Sequence, residues 1–162
     1  MKIRHIVFAL ALGISSAAWS HPDLSKAAQY VTSELTVSGA VEHPLKLSVA
    51  DLRQFPPQQL ENRKGVSLRA LLERATVVSK DHNDVKKIAI IATASDGYAV
   101  IFSWSEIFNS PVGEGVLVFF EKDGAPLADD EGRIAMVSTK DIRPGPRHVR
   151  WLKGIEIRKI VD

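Results

Sequence analysis

Apolar residues in this chain come in short runs, mostly of strand length, cut apart by turn chemistry such as Ser95-Asp96-Gly97 and Lys122-Asp123-Gly124. Runs bounded in this way specify β-strands joined by tight turns. Among the segments with helical signals, residues 67–75 carry a full stripe. Ser67 can cap that helix, and Leu68, Leu71, Leu72 and Ala75 follow the i, i+3, i+4, i+7 spacing of a face that packs on a sheet. Strands and short helices mixed along 162 residues, with no repeat, low-complexity tract or internal linker, define one α+β domain. At 45% hydrophobic and 25% charged residues, the composition is that of a globular protein and excludes disorder and coiled coil.

Residues 34–41 (ELTVSGAV) alternate as a strand, with Leu35 and Val37 on one face, and residues 45–47 form a short second strand after Pro44. Ser48 with Asp51 three residues on predicts a capping box and a short helix reaching Gln54, ended by Pro56 and Pro57. Residues 58–61 read as extended and Lys64-Gly65 as a turn. The β-branched run 85–92 predicts a buried strand, and 98–102 the next. Ser103 and Glu106 make a second capping box, giving a helix over 104–109. Strands follow at 116–121, 133–138 and 152–160, the last two separated by an irregular segment, 139–151.

The first twenty residues read as a secretory signal peptide. Lys2 and Arg4 form a positive head, residues 6–14 an apolar run, and Ala18 and Ser20 stand at −3 and −1 of a cut before His21. The run is too short to span a hydrocarbon layer of about 30 Å. The expected organisation is a leader over 1–20, a polar lead-in over 21–33 and the domain over 34–162. Removing Lys2 and Arg4 from 21 basic residues leaves them level with the 19 acidic ones, so no bulk attraction to nucleic acid is expected. A leader and no cysteine point to the periplasm, with no direct membrane insertion.

The absence of cysteine excludes disulfides, thiolate-held metals and thiol nucleophiles. The five histidines, at 5, 21, 43, 82 and 148, have no i, i+4 partners, so no metal site is expected. There is no GxSxG elbow, Walker loop or GxGxxG turn, and Asp129 and Asp130 read as part of a charged, solvated run.

The chemistry concentrates in STKDIRPGPRHVRWL, residues 138–152. Pro144, Gly145 and Pro146 shape a loop that holds Lys140, Arg143, Arg147, Arg150, His148 and Trp151, with Ser138 and Thr139 at its start. Arginine offers a planar fork of donors to a carboxylate, phosphate or ring carbonyl, and Arg147 and His148 read as ligand donors. Trp151 reads as a core residue opening a strand. Asp141 is either the surface ion-pair partner of Arg143 or a carboxylate that reads a ligand. At the 95–98 turn, Asp96 either accepts N–H bonds from a heterocycle on which Tyr98 stacks or closes its own turn.

The order of LTVSGAVEHPLKLSVADLRQFP, GVSLRALLERA, SDGY, VLVFFEKDGAPL and RHVRWLKGIEI resembles the molybdopterin-binding domain of sulfite oxidase-type oxidoreductases over nearly all of residues 34–160. The resemblance implies an α+β fold of mixed β-sheets and short helices in a single domain, and a pterin ligand. Enzymes of that family hold molybdenum through a cysteine before the helix that here begins at Ser67, where this chain has Glu61-Asn62-Arg63-Lys64-Gly65. They also commonly carry a histidine after the counterpart of Leu127, where this chain has Ala128-Asp129-Asp130-Glu131. The chain is similar in these respects to the small, cysteine-free, PruR-like periplasmic pterin-binding members. That likeness implies a non-enzymatic protein signalling pterin occupancy to the periplasmic sensing domain of an inner-membrane protein that makes or degrades cyclic di-GMP. A pterin set of Asp96, Tyr98, Ser138, Thr139, Asp141, Arg143, Arg147, His148 and Trp151 follows, without a metal. The rival expectations are a molybdopterin-dependent oxidoreductase subunit without a protein thiolate, and an interaction module without a ligand.

Overall fold

The computed structural model describes residues 27–81 and 83–161. The leader over 1–20 and the first part of the 21–33 lead-in lie outside the described residues; the rest of the lead-in holds a short helix, α1 (Ala27–Tyr30).

Two sheets build the domain. In the first, β1 (Glu34–Gly39) lies parallel to β10 (Leu152–Lys159), with Val37 opposite Ile155. β2 (Leu45–Ser48) flanks β1, while β5 (Ile88–Ala94) and then β6 (Ala99–Ser103) continue beyond β10, in the order β2-β1-β10-β5-β6. The second sheet runs β3 (Gln58–Leu60), β4 (Arg63–Ser67), β7 (Val116–Lys122) and β8 (Ala125–Pro126), with β9 (Ala135–Ser138) also paired to β7. Leu35, Val37, Ile90, Phe102, Ile155 and Ile157 of the first sheet join Val66, Val118, Phe120 and Met136 of the second in one buried core. Burying such side chains is the main source of folding free energy, about 1.5–3 kcal/mol each.

The helices begin where the capping chemistry predicts. α2 (Val49–Leu52) opens on a capping box of Ser48 and Asp51, and α3 (Leu68–Ala75) on Ser67. In α3, Leu68, Leu71, Leu72 and Ala75 are all buried, as their spacing requires. α4 (Trp104–Phe108) opens on the Ser103–Glu106 box. No helix among the described residues is long and apolar enough to cross a membrane.

Two local expectations fail. Lys64 and Gly65 do not turn but lie inside β4, at a register shift against β7. A Cβ on Gly65 would come within 2.1 Å of the Val118 carbonyl oxygen, so glycine serves close strand contact here. The turn falls earlier, where Glu61 adopts φ 54°. Likewise Val85, Lys86 and Lys87 belong to a 3-10 turn (Asp84–Lys87), started where the Asp84 carboxylate accepts the Lys80 N–H, and β5 begins only at Ile88.

Candidate functional site

The irregular segment before β10 folds back on itself. A 3-10 turn (Gly145–Arg147), with the Arg147 N–H donating to the Pro144 carbonyl at 3.0 Å, returns the chain towards β6 and α4. Arg147 is then gripped from two sides. Its Nε and Nη2 donate to the two oxygens of Asp141 at 2.6 and 2.5 Å, and Nη1 donates to Glu106 Oε1 at 2.8 Å. Its guanidinium carbon lies 4.3 Å from the centroid of the Phe102 ring. A forked ion pair stacked on an aromatic face is the arrangement to which arginine is best suited. Asp141 therefore pairs with Arg147, six residues on. Arg143 is exposed and makes no ion pair among the described residues.

The electrostatics follow from that grip. The Arg147 guanidinium holds the Asp141 carboxyl below the usual aspartate range, and Asp141 in turn raises the Arg147 pKa. Partial burial opposes ionisation of Glu106, but the Ser103 N–H and the Arg147 side chain outweigh it and its pKa is lowered. Beside Asp141 lies Ser138, wholly buried. Its hydroxyl is near enough to favour the charged carboxylate, yet Ser138 Oγ lacks a hydrogen bond of proper geometry. A buried hydroxyl without a partner is costly and uncommon.

The other candidates divide. Tyr98, half exposed, joins the cluster by donating its hydroxyl to the Pro146 carbonyl at 2.6 Å. Asp96 accepts the Tyr98 N–H at 2.8 Å and so closes its own turn. Thr139 Oγ1 donates to the Gly115 carbonyl at 3.1 Å. His148 sits apart from Arg147, paired through Nε2 with Glu131 Oε2 at 2.9 Å. Glu131 is buried; the bond to His148 lowers its pKa against the opposing effect of burial, and Lys122 stands 3.7 Å away. Trp151 is a buried residue at φ 49°, its Nε1 donating to the Asp129 carbonyl at 2.7 Å and its ring 5.4 Å from that of Tyr30. It sits just before β10 and takes a left-handed conformation instead of an extended one.

Two acids escaped the sequence reading. Glu106 is legible as a cap, but nothing in the spacing joins it to Arg147, 41 residues away. Glu131 reads as one more charge in a solvated run, yet it is buried. The loop cluster is closed: its donors are taken by its own acceptors, and three concavities of about 540, 430 and 170 Å³ are lined by other residues. The first lies between β2, α2 and α3, over Leu45, Leu47 and Phe55.

The donor set discriminates between candidate ligands. The cysteine thiolate through which sulfite oxidase-type enzymes hold molybdenum is missing from this chain, so that mode of ligation does not fit these residues. The cluster itself gathers a buried hydroxyl, a carboxylate and a guanidinium fork, Ser138 Oγ, Asp141 and Arg147, with the fork already engaged by Asp141 and Glu106.

Two sheets with short helices, and β1 lying parallel beside β10, form a single domain whose fold is that of the sulfite-oxidase type. Among solved structures the chain is similar to the sulfane dehydrogenase SoxCD from Paracoccus pantotrophus, with a TM-score of 0.60 and 21% identity. The match covers 78% of this chain and 38% of that one, so the chain spans well under half of its neighbour's length. No protein-family model matches the sequence, and no curated protein does.

Proposed function

We propose that this chain is a non-enzymatic pterin-binding protein of the periplasm, exported by residues 1–20, whose occupancy is read by the sensing domain of an inner-membrane protein that handles cyclic di-GMP. The fold and the missing thiolate support this reading together. The observation that carries it is the Asp141–Arg147 fork beside Ser138, a buried hydroxyl without a partner.

In this reading the bound ring replaces contacts the cluster now makes internally. Asp141 takes the amino edge of the heterocycle, Arg147 donates to its ring oxygen, Ser138 supplies the hydroxyl it otherwise leaves unused, and Tyr98 offers its exposed ring for stacking. Breaking the fork costs binding energy, and it also frees the loop from Glu106 and β6. Occupancy thus becomes a change of loop shape that a partner can sense.

The test is mass spectrometry of small molecules released from protein purified from its native host, with molybdenum assayed on the same sample. A pterin without metal is expected. A molybdopterin with stoichiometric molybdenum refutes the reading in favour of an oxidoreductase subunit, and failure of both native and added pterins to bind leaves an interaction module. Arg147→Ala and Asp141→Ala should each weaken binding of an added simple pterin by about tenfold or more while circular dichroism remains that of the folded protein.

A further inference from the structure

Proteins normally blunt the edges of their sheets, because unpaired backbone groups recruit other strands. Most edges here follow that rule. β2 carries exposed Lys46 and follows Pro44, β3 has only three residues after Pro56 and Pro57, and β8 is two residues ending in Pro126. The outer side of β9 is closed by Val149, which exchanges two 2.8 Å hydrogen bonds with Met136. β6 is five residues long and reads Ala-Val-Ile-Phe-Ser, without a charge, a proline or a bulge.

The free groups of that edge can be assigned. The Ala94 N–H donates to the Tyr98 carbonyl at 2.8 Å, and bonded pairs alternate along an antiparallel ladder. In the register of β5 and β6, Ala92 with Val100 and Ile90 with Phe102 are then the mutually bonded pairs. Ala99 and Ile101 point their N–H and C=O groups away from β5, and among the described residues nothing meets them. The next outward N–H, that of Ser103, is already taken by Glu106 Oε2 at 2.7 Å. The open edge is therefore two residues long and offers four groups.

We infer that a second copy of this chain pairs with β6, antiparallel about a two-fold axis at Val100. Ala99 of one copy then stands opposite Ile101 of the other, and the four free groups of each copy are satisfied in four hydrogen bonds. The pairing is self-complementary in size, small against large, and brings no like charges together. It covers Ile101, which is 62% exposed on the solvent face of the sheet. The loop cluster borders this edge at both ends, through the Tyr98 bond to Pro146 and the Arg147 bond to Glu106, with exposed Ala99 and Ile101 between them. Four hydrogen bonds and one apolar contact make a small interface, of the kind that forms weak and reversible associations. The inference is independent of any ligand.

Sedimentation velocity of the purified protein across a concentration series tests it, with amide hydrogen exchange at both ends of the series. Monomer should give way to dimer as concentration rises, and exchange at Ala99 and Ile101 should slow while Val100 and Phe102 stay protected throughout. Ile101→Pro removes an outward N–H without touching the β5 ladder, and Ile101→Lys puts a charge on the solvent face. Each should weaken self-association about tenfold or more. Ile101→Lys alone decides the matter if the proline variant fails to fold. A protein that stays monomeric at every concentration, or a dimer indifferent to Ile101→Lys, overturns the inference.

Discussion

Arg147 shows how much of a loop's shape can hang on one side chain. Asp141 and Glu106 both reach it, one from its own loop and one from the start of α4. Both carboxyls have folded-state pKa values below their unfolded ones. The stabilisation they give is therefore complete above the ordinary carboxylate range and is lost as pH falls through the folded values, because the unfolded chain takes up protons first. Thermal unfolding followed from about pH 7 down to about pH 3 should show a midpoint that declines below about pH 4, and Asp141→Asn should reduce that decline. A variant as acid-sensitive as the parent would place the decline in other carboxylates. The sequence shows that Asp141 and a basic loop belong together but suggests Arg143 as the partner. Arg143 is two residues away and Arg147 six; the turn at Pro144 brings the distant one back, and packing on Phe102 together with the bond to Glu106 selects it.

At the scale of elements, local chemistry is legible in the sequence where it is self-contained. The Ser48 and Ser103 capping boxes need only residues three apart, and both form as expected. Gly65 departs from its expected turn because its role depends on a strand more than fifty residues away. A lysine–glycine pair suits a turn, but here glycine is required by the approach of Val118. The same applies to Glu131, whose burial comes from packing that no neighbour in sequence announces. Gly65→Ala should destabilise the protein by about 1–3 kcal/mol, the usual range for forcing extra volume into a packed site, as read by chemical denaturation. A neutral result would mean that β4 and β7 can part at the register shift without loss. Gly97, with open space around the position of its missing Cβ, is the contrasting case: its constraint is φ of +95° alone.

The whole molecule is organised by one pairing that joins the ends of the domain. β1 and β10 lie side by side, and β10 occupies the middle of its sheet although it is the last strand in the chain. The number and type of strands can be estimated from short apolar runs, but their order cannot, because period-2 alternation says which face is buried and not which strand is next. Truncation after Trp151 should abolish cooperative unfolding altogether, since it separates β2-β1 from β5-β6; dispersed amide resonances in such a fragment would contradict the prediction. Topology of this kind also bears on timing. A polypeptide threading N-terminus first out of a ribosome or through a translocation pore cannot complete this sheet until its distal segment has emerged. Until then the first sheet lacks its middle strand, whereas every strand of the second sheet has already appeared.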